Sequence, residues 1–212
     1  MWAYIKDNKI EQLYYRPKSI MLNNVRYPSN MFTKYTDAEK EAIGIYPVEN
    51  SGTKGDDRFE NTSQAIYTWS ASDKKVTTSY NITAKSLVDV EAKDDSGNNI
   101  LDEKGNKTYT YGLKTLAKNL AKQQANSYIS RFNWLVERSV YDSSKTIPSA
   151  VSTYVAAIRT DCANIETAID NASDMAAFKK LYEWEYNSDG SVKTVAPIQK
   201  WSDDYDVKTY IR

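Results

Sequence analysis

The side chains that carry most enzymatic chemistry are either missing from this chain or placed where they cannot cooperate. There is no histidine in its 212 residues. That removes Ser-His-Asp and Cys-His catalysis, imidazole acid–base work and His-ligated zinc together. Carboxylate, lysine, tyrosine and serine chemistry remain. Ser51-Gly52-Thr53-Lys54 and Ser72-Asp73-Lys74-Lys75 have the serine–lysine spacing of serine acyl-enzymes, in which a lysine on the next helical turn takes the serine proton. Both fall in stretches that read as loops, without the Lys-Thr-Gly and Ser-Asp-Asn companions, so neither is expected to react. Acidic pairs stand at Asp56-Asp57, Asp94-Asp95, Asp102-Glu103 and Asp203-Asp204. Glycoside hydrolysis needs two carboxylates facing one sugar bond, and neighbouring acids in a loop point apart. The stretch from Asp94 to Asn99 clusters hard oxygen ligands but lacks the register and closing glutamate of a calcium loop. The lone Cys162 falls on the apolar stripe of a predicted helix and reads as a small core residue. The expectation is a chain that is not an enzyme and that takes no cofactor and no metal.

Lysine and arginine number 28, aspartate and glutamate 28, and the formal charge is zero. Without a net positive charge or a long basic block, the counterion release that drives nucleic-acid binding is missing, and no nucleic-acid partner is expected. No run approaches the roughly 18 apolar residues of a membrane span, and the N-terminus lacks a basic segment followed by an apolar core. Synthesis in a cytoplasm, with no membrane partner, follows as the expectation. Aromatic residues point elsewhere: 17 Tyr and five Trp make the chain rich in amphipathic rings. Such rings suit protein interfaces because each buries a large area while keeping one polar handle. Tyrosine is also a good strand residue, and both explanations stand.

The elements that must position these residues divide the chain in four. Residues 1–50 read as a β-rich docking module. Asp7-Asn8 turns one hairpin and Asn23-Asn24 another, and Thr36 with Glu39 three residues later has capping-box spacing. Residues 58–111 read as a small antiparallel β segment with a protruding loop, where two turn signals flank Ile100-Leu101. No internal repeat is expected along the chain. Residues 112–186 are helical. Leu113, Leu116, Ala117, Leu120, Ala121, Tyr128 and Phe132 recur at three- and four-residue spacing, as do Val151, Tyr154, Val155, Ile158, Cys162, Ile165 and Ile169. Ser173 or Asp174 caps a third, shorter helix. Residues 187–212 form a hairpin around Asn187-Ser188-Asp189-Gly190 and an extended polar, aromatic tail. The fold class is α+β, with a β-rich N-terminal half of hairpins and a small antiparallel sheet, then a helical hairpin or three-helix half. Leu120, Phe132, Trp134, Tyr154 and Ile158 are expected in the core. Trp2, Tyr4, Arg159, Trp201, Tyr205 and Tyr210 are the candidate contact residues.

Two parts of the chain look familiar. The opening Met1-Trp2-Ala3-Tyr4-Ile5-Lys6-Asp7-Asn8, with Tyr27-Pro28-Ser29-Asn30 and Ile43-Gly44-Ile45-Tyr46-Pro47, resembles the N-terminal module of small tail-associated proteins of tailed bacteriophages. Asn133-Trp134, Arg138, Ile147-Pro148, Tyr154, Ala157-Ile158-Arg159 and Pro197-Ile198 leading to Trp201 are similar to the C-terminal region of phage tail-fibre-assembly or tail-chaperone-like proteins. The usual Asp-Trp pair is Asn133-Trp134 here, and Trp201 is followed by Ser202 instead of proline. The resemblance implies a structural protein of the virion tail or fibre-attachment apparatus, made in the host bacterial cytoplasm. Its partners would be other tail proteins and further copies of itself in a symmetric assembly. A tail-fibre assembly chaperone absent from the mature virion is the alternative. A host-surface carbohydrate binder or depolymerase is the second.

Overall fold

A computed structural model describes residues 1–211. The chain divides into two compact units, Met1–Thr83 and Ala84–Arg212. The architecture is α+β, with a curled sheet in the N-terminal half and helices in the C-terminal half.

The first unit contains β1 (Trp2–Lys6), β2 (Lys9–Tyr14), β3 (Ile20–Leu22), β4 (Val25–Tyr27), α1 (Met31–Lys34), α2 (Asp37–Ala42), β5 (Ile45–Glu49), β6 (Glu60–Thr62), β7 (Ile66–Ser70), β8 (Lys75–Ser79) and β9 (Ile82–Ala84). Its two first hairpins turn through Asp7-Asn8, at φ 48° and 63°, and Asn23-Asn24, at φ 47° and 62°. Two successive positive φ values match the right-handed twist of the flanking strands, and short Asn and Asp side chains tolerate them. Thr36 and Glu39 close a reciprocal capping box, the Thr36 N–H donating to Glu39 Oε2 at 2.7 Å.

The main sheet runs β2-β1-β5-β8-β7. The β5–β8 pairing is parallel, with Val48 opposite Val76, and the other pairings are antiparallel. On one face Trp2, Tyr4 and Tyr27 pack against a buried cluster of Tyr14, Ile20, Leu22, Met31, Phe32 and Ile45. On the other, alternation brings together Ala3, Tyr46, Val48, Trp69, Val76 and Thr78. The sheet curls around that face. Trp69 Nε1 donates to Asn8 Oδ1 at 2.8 Å, and the Tyr46 and Trp69 rings lie 4.4 Å apart. Residues 66–79 are therefore part of the N-terminal sheet, which corrects the separate 58–111 segment expected from the sequence. A parallel pairing between distant strands leaves no local sequence signal.

The second unit starts with an arm whose β10 (Val90–Glu91) and β11 (Tyr109–Thr110) pair at its root. Gly112 follows, and a Cβ there would collide with the backbone of Leu87 and Val88, so only glycine lets the arm root lie this close. Then come α3 (Leu113–Ser130), α4 (Asn133–Tyr141), α5 (Ser149–Asn171), α6 (Met175–Lys180) and the hairpin of β12 (Glu185–Tyr186) with β13 (Val192–Thr194). α3 and α5 run antiparallel. Lys118 pairs with Asp170 at 2.8 Å and Lys122 with Glu166 at 2.9 Å at one end, while the Phe132 and Tyr154 rings meet edge-on at 5.7 Å at the other.

Two apolar rows run along α3. The row facing α5 is Ala117, Ala121 and Ala125, all buried, whereas Leu116 and Leu120 are 50% and 49% exposed. Leu120 is therefore not a core residue. An apolar arc wider than one partner helix can cover leaves one row on the flank, and the small row faces α5 because it permits close approach.

Candidate interaction surfaces

Most of the expected contact residues pack inward. Trp2 is half-buried, its ring 4.8 Å from Phe32, and Tyr4 lies against the same cluster. Trp201 and Tyr210 are half-buried against a second cluster built from Ala125, Phe132, Leu135, Val151, Tyr154, Ile158 and Val207. Trp201 meets Tyr128 edge-on at 5.5 Å, and Trp134 Nε1 donates to the Tyr210 carbonyl at 3.1 Å. The Ser202 N–H and hydroxyl both donate to Asp161 Oδ2 at 2.7 Å. The polar C-terminal stretch is thus a strap tied across α3, α4 and α5, which corrects its reading as an extended tail with contact residues. A polar, aromatic composition describes a strap and a free tail equally well. Trp134 itself is half-buried and stacks on Arg138 at 5.1 Å, while Phe132, Tyr154 and Ile158 are fully within the cluster.

Arg159 and Tyr205 are on the surface. Tyr205 is 76% exposed. Arg159 stands at the end of a cleft of about 270 Å³, with Ile129, Phe132 and Val136 on one side and Val151 and Val155 on the other. Val151, Val155 and Arg159 follow one another at four-residue spacing on α5 and form a single row. The guanidinium is exposed and makes no hydrogen bond or ion pair among the described residues. An apolar cleft closed by an unengaged guanidinium suits an apolar side chain with a carboxylate beside it, because the planar fork accepts a carboxylate edge-on. Val136, in the cleft wall, and Val140, one turn further along α4, are 49% and 76% exposed.

The arm is the feature that residue-by-residue reading missed. Residues 93–100 and 101–108 repeat each other: Asp94 and Asp102, Gly97 and Gly105, and Asn98 and Asn106 occupy equivalent positions. In each copy the aspartate Oδ1 accepts two backbone N–H groups, from Ser96 and Asn98 at 2.9 Å and from Lys104 and Asn106 at 2.9 and 2.8 Å. The asparagine side chain donates back to the same carboxylate, and the glycines hold φ +85° and +82°. The recurring Asp-x-x-Gly-Asn spacing was the available signal. Every residue from 93 to 107 is exposed, so the arm stands away from the helices. Ile100 and Leu101 are nonetheless 45% and 55% exposed, and Val90 and Tyr109 each 50%.

These turns make the arm acid-sensitive. The Asn98 N–H, the largest influence, and the other turn donors hold Asp94 below the ordinary carboxylate value, and the Asn106 N–H does the same for Asp102. A depressed folded-state value contributes stability above the unfolded value of about 3.9, and that contribution is lost as pH falls through the folded one. Titration of the Asn98 and Asn106 amide resonances is expected to give midpoints below that ordinary value. Midpoints at or above it would contradict the turn geometry.

No protein-family model, curated protein or solved structure gives a significant match to this chain.

Proposed function

We propose that this protein is a non-enzymatic structural component of a phage tail or fibre-attachment apparatus, located in the virion and acting through protein–protein contacts. The phage assignment rests on the resemblance of the N- and C-terminal motifs. The contact role is supported chiefly by the arm. A segment exposed along residues 93–107 that presents Ile100 and Leu101 to solvent carries apolar area that a monomer gains nothing by displaying. The exposed apolar row of Val136 and Val140 adds a second patch. No helix among the described residues is long and apolar enough to cross a membrane. Partners in this reading are other tail proteins and further copies of the chain.

Mass spectrometry of purified virions tests the proposal. The protein is expected in the particle in fixed ratio to the other tail proteins. Its absence from virions, with presence in the infected cell, would overturn the structural role in favour of the assembly chaperone.

A further inference from the structure

The arm carries an exposed apolar residue and an acid, and the helical cleft offers apolar walls and a guanidinium. The cleft offers about 270 Å³ between apolar walls and ends on an exposed guanidinium that has no partner among the described residues. Its occupant must bring an apolar side chain and a carboxylate not already in use. Several exposed apolar residues of this unit neighbour an acid, and most of those acids are engaged. Asp89 accepts the Gly112 N–H, Glu91 pairs with Lys107, Asp102 holds its own turn, and Asp142 accepts from Ser144, whereas Glu137 lies beside Val136 on α4, a wall of the cleft itself, and Glu183 and Asp206 flank the aromatic rings of Trp184 and Tyr205 instead of an aliphatic side chain. Glu103 is exposed, with no hydrogen bond or ion pair among the described residues, and sits in the turn two residues after Leu101.

The arm does not reach the cleft of its own chain. It leaves the body at Gly112, whereas the cleft begins at Ile129, on the order of 25 Å further along α3 at about 1.5 Å per residue. An arm folded back along α3 would be covered, and residues 93–107 are all exposed. We infer that the arm of one copy docks in the cleft of the next, with Leu101 entering between Val136 and Val155 and Glu103 pairing with Arg159. The inference rests on the self-association included in the proposed function. It specifies a heterologous contact, in which different patches of the two copies meet, and such a contact repeats into a ring or a filament.

Sedimentation velocity of the full chain across a concentration series tests the contact. Wild-type protein is expected to self-associate. Arg159→Glu and Glu103→Arg are each expected to weaken association by about tenfold or more, since each places like charges in a desolvated contact. Both positions are exposed, so the variants keep the wild-type circular dichroism spectrum. Combining the two substitutions in one chain restores association, and so does mixing the two single variants, because each mixed contact then joins opposite charges. Leu101→Asp abolishes association. Association that is indifferent to the single variants, or not rescued by the charge swap, overturns this contact and leaves assembly through another surface. A wild-type chain that stays monomeric at its highest soluble concentration overturns it too. The presence of the protein in virions is decided separately.

Discussion

Phe132→Ala is expected to destabilise the C-terminal unit by roughly 3–5 kcal/mol, the range for truncating a buried large aromatic, whereas Leu120→Ala moves stability by less than about 1 kcal/mol. Phe132 is 3% exposed and lies where α3 gives way to α4, with Tyr154 of α5 edge-on at 5.7 Å. It belongs to a cluster drawn from all three helices, with Ala125 of α3, Leu135 of α4 and Val151, Tyr154 and Ile158 of α5. Removing it leaves a hole that cannot close without shifting a helix, so the cavity cost adds to the lost burial. Leu120 makes the contrast informative. It belongs to the same periodic apolar pattern, yet it is 49% exposed, and the row that α5 covers is Ala117, Ala121 and Ala125. Urea unfolding of the full chain, followed by helical circular dichroism, reads both. Similar losses would mean that Leu120 is covered and the azimuth of α3 is wrong.

Those two residues also mark where sequence reasoning runs out. Periodicity defines an apolar arc on a helix, not the line along that arc which meets its neighbour. The neighbour is decided by packing between segments far apart in sequence. Local signals were readable because their physics is local. The Asp7-Asn8 and Asn23-Asn24 turns need residues tolerant of positive φ, and Thr36 and Glu39 satisfy donors only three residues apart. The β5–β8 pairing joins strands without a shared turn, and nothing near Val48 or Val76 announces the other. The arm is an intermediate case. Its repeat was present in the spacing of Asp94, Gly97 and Asn98 and again of Asp102, Gly105 and Asn106, but reading each as an isolated turn hid the relation.

The candidate contact residues separate on the same principle. An aromatic side chain in a polar segment has the same composition whether it waits for a partner or already has one. Arg159 and Tyr205 were left on the surface, while Trp2, Tyr4, Trp201 and Tyr210 found partners within the chain. In the C-terminal stretch the partners are specific. Asp161 receives both donors of Ser202, Arg131 pairs with Asp204 at 3.4 Å, and Val207 is 1% exposed inside the cluster. Any one of these is modest, and the half-buried ion pair is a long one. Together they hold a segment that its composition alone would leave loose.

Trp201→Ala tests whether that strap is structural. The ring is half-buried against the helical cluster and meets Tyr128 edge-on at 5.5 Å, so its truncation is expected to cost about 2–4 kcal/mol, below the full range for a buried tryptophan. The loss spreads because Trp201 adjoins Ser202. Loosening the backbone there weakens the paired hydrogen bonds to Asp161, and further along the strap the Tyr210 carbonyl accepts from Trp134 Nε1. Hydrogen exchange is therefore expected to rise over residues 201–211 and in α4, along with a lower thermal midpoint. Tyr205→Ala is the control. It removes a ring that is 76% exposed, with Lys208 lying over it at 5.6 Å, and should leave the midpoint within about a degree or two, as surface substitutions do. An unchanged midpoint for Trp201→Ala, combined with lost self-association, would return Trp201 to the subunit interface. A lowered midpoint with association intact would fix the strap as part of the fold and leave the arm and the α3–α4–α5 cleft as the surfaces through which copies meet.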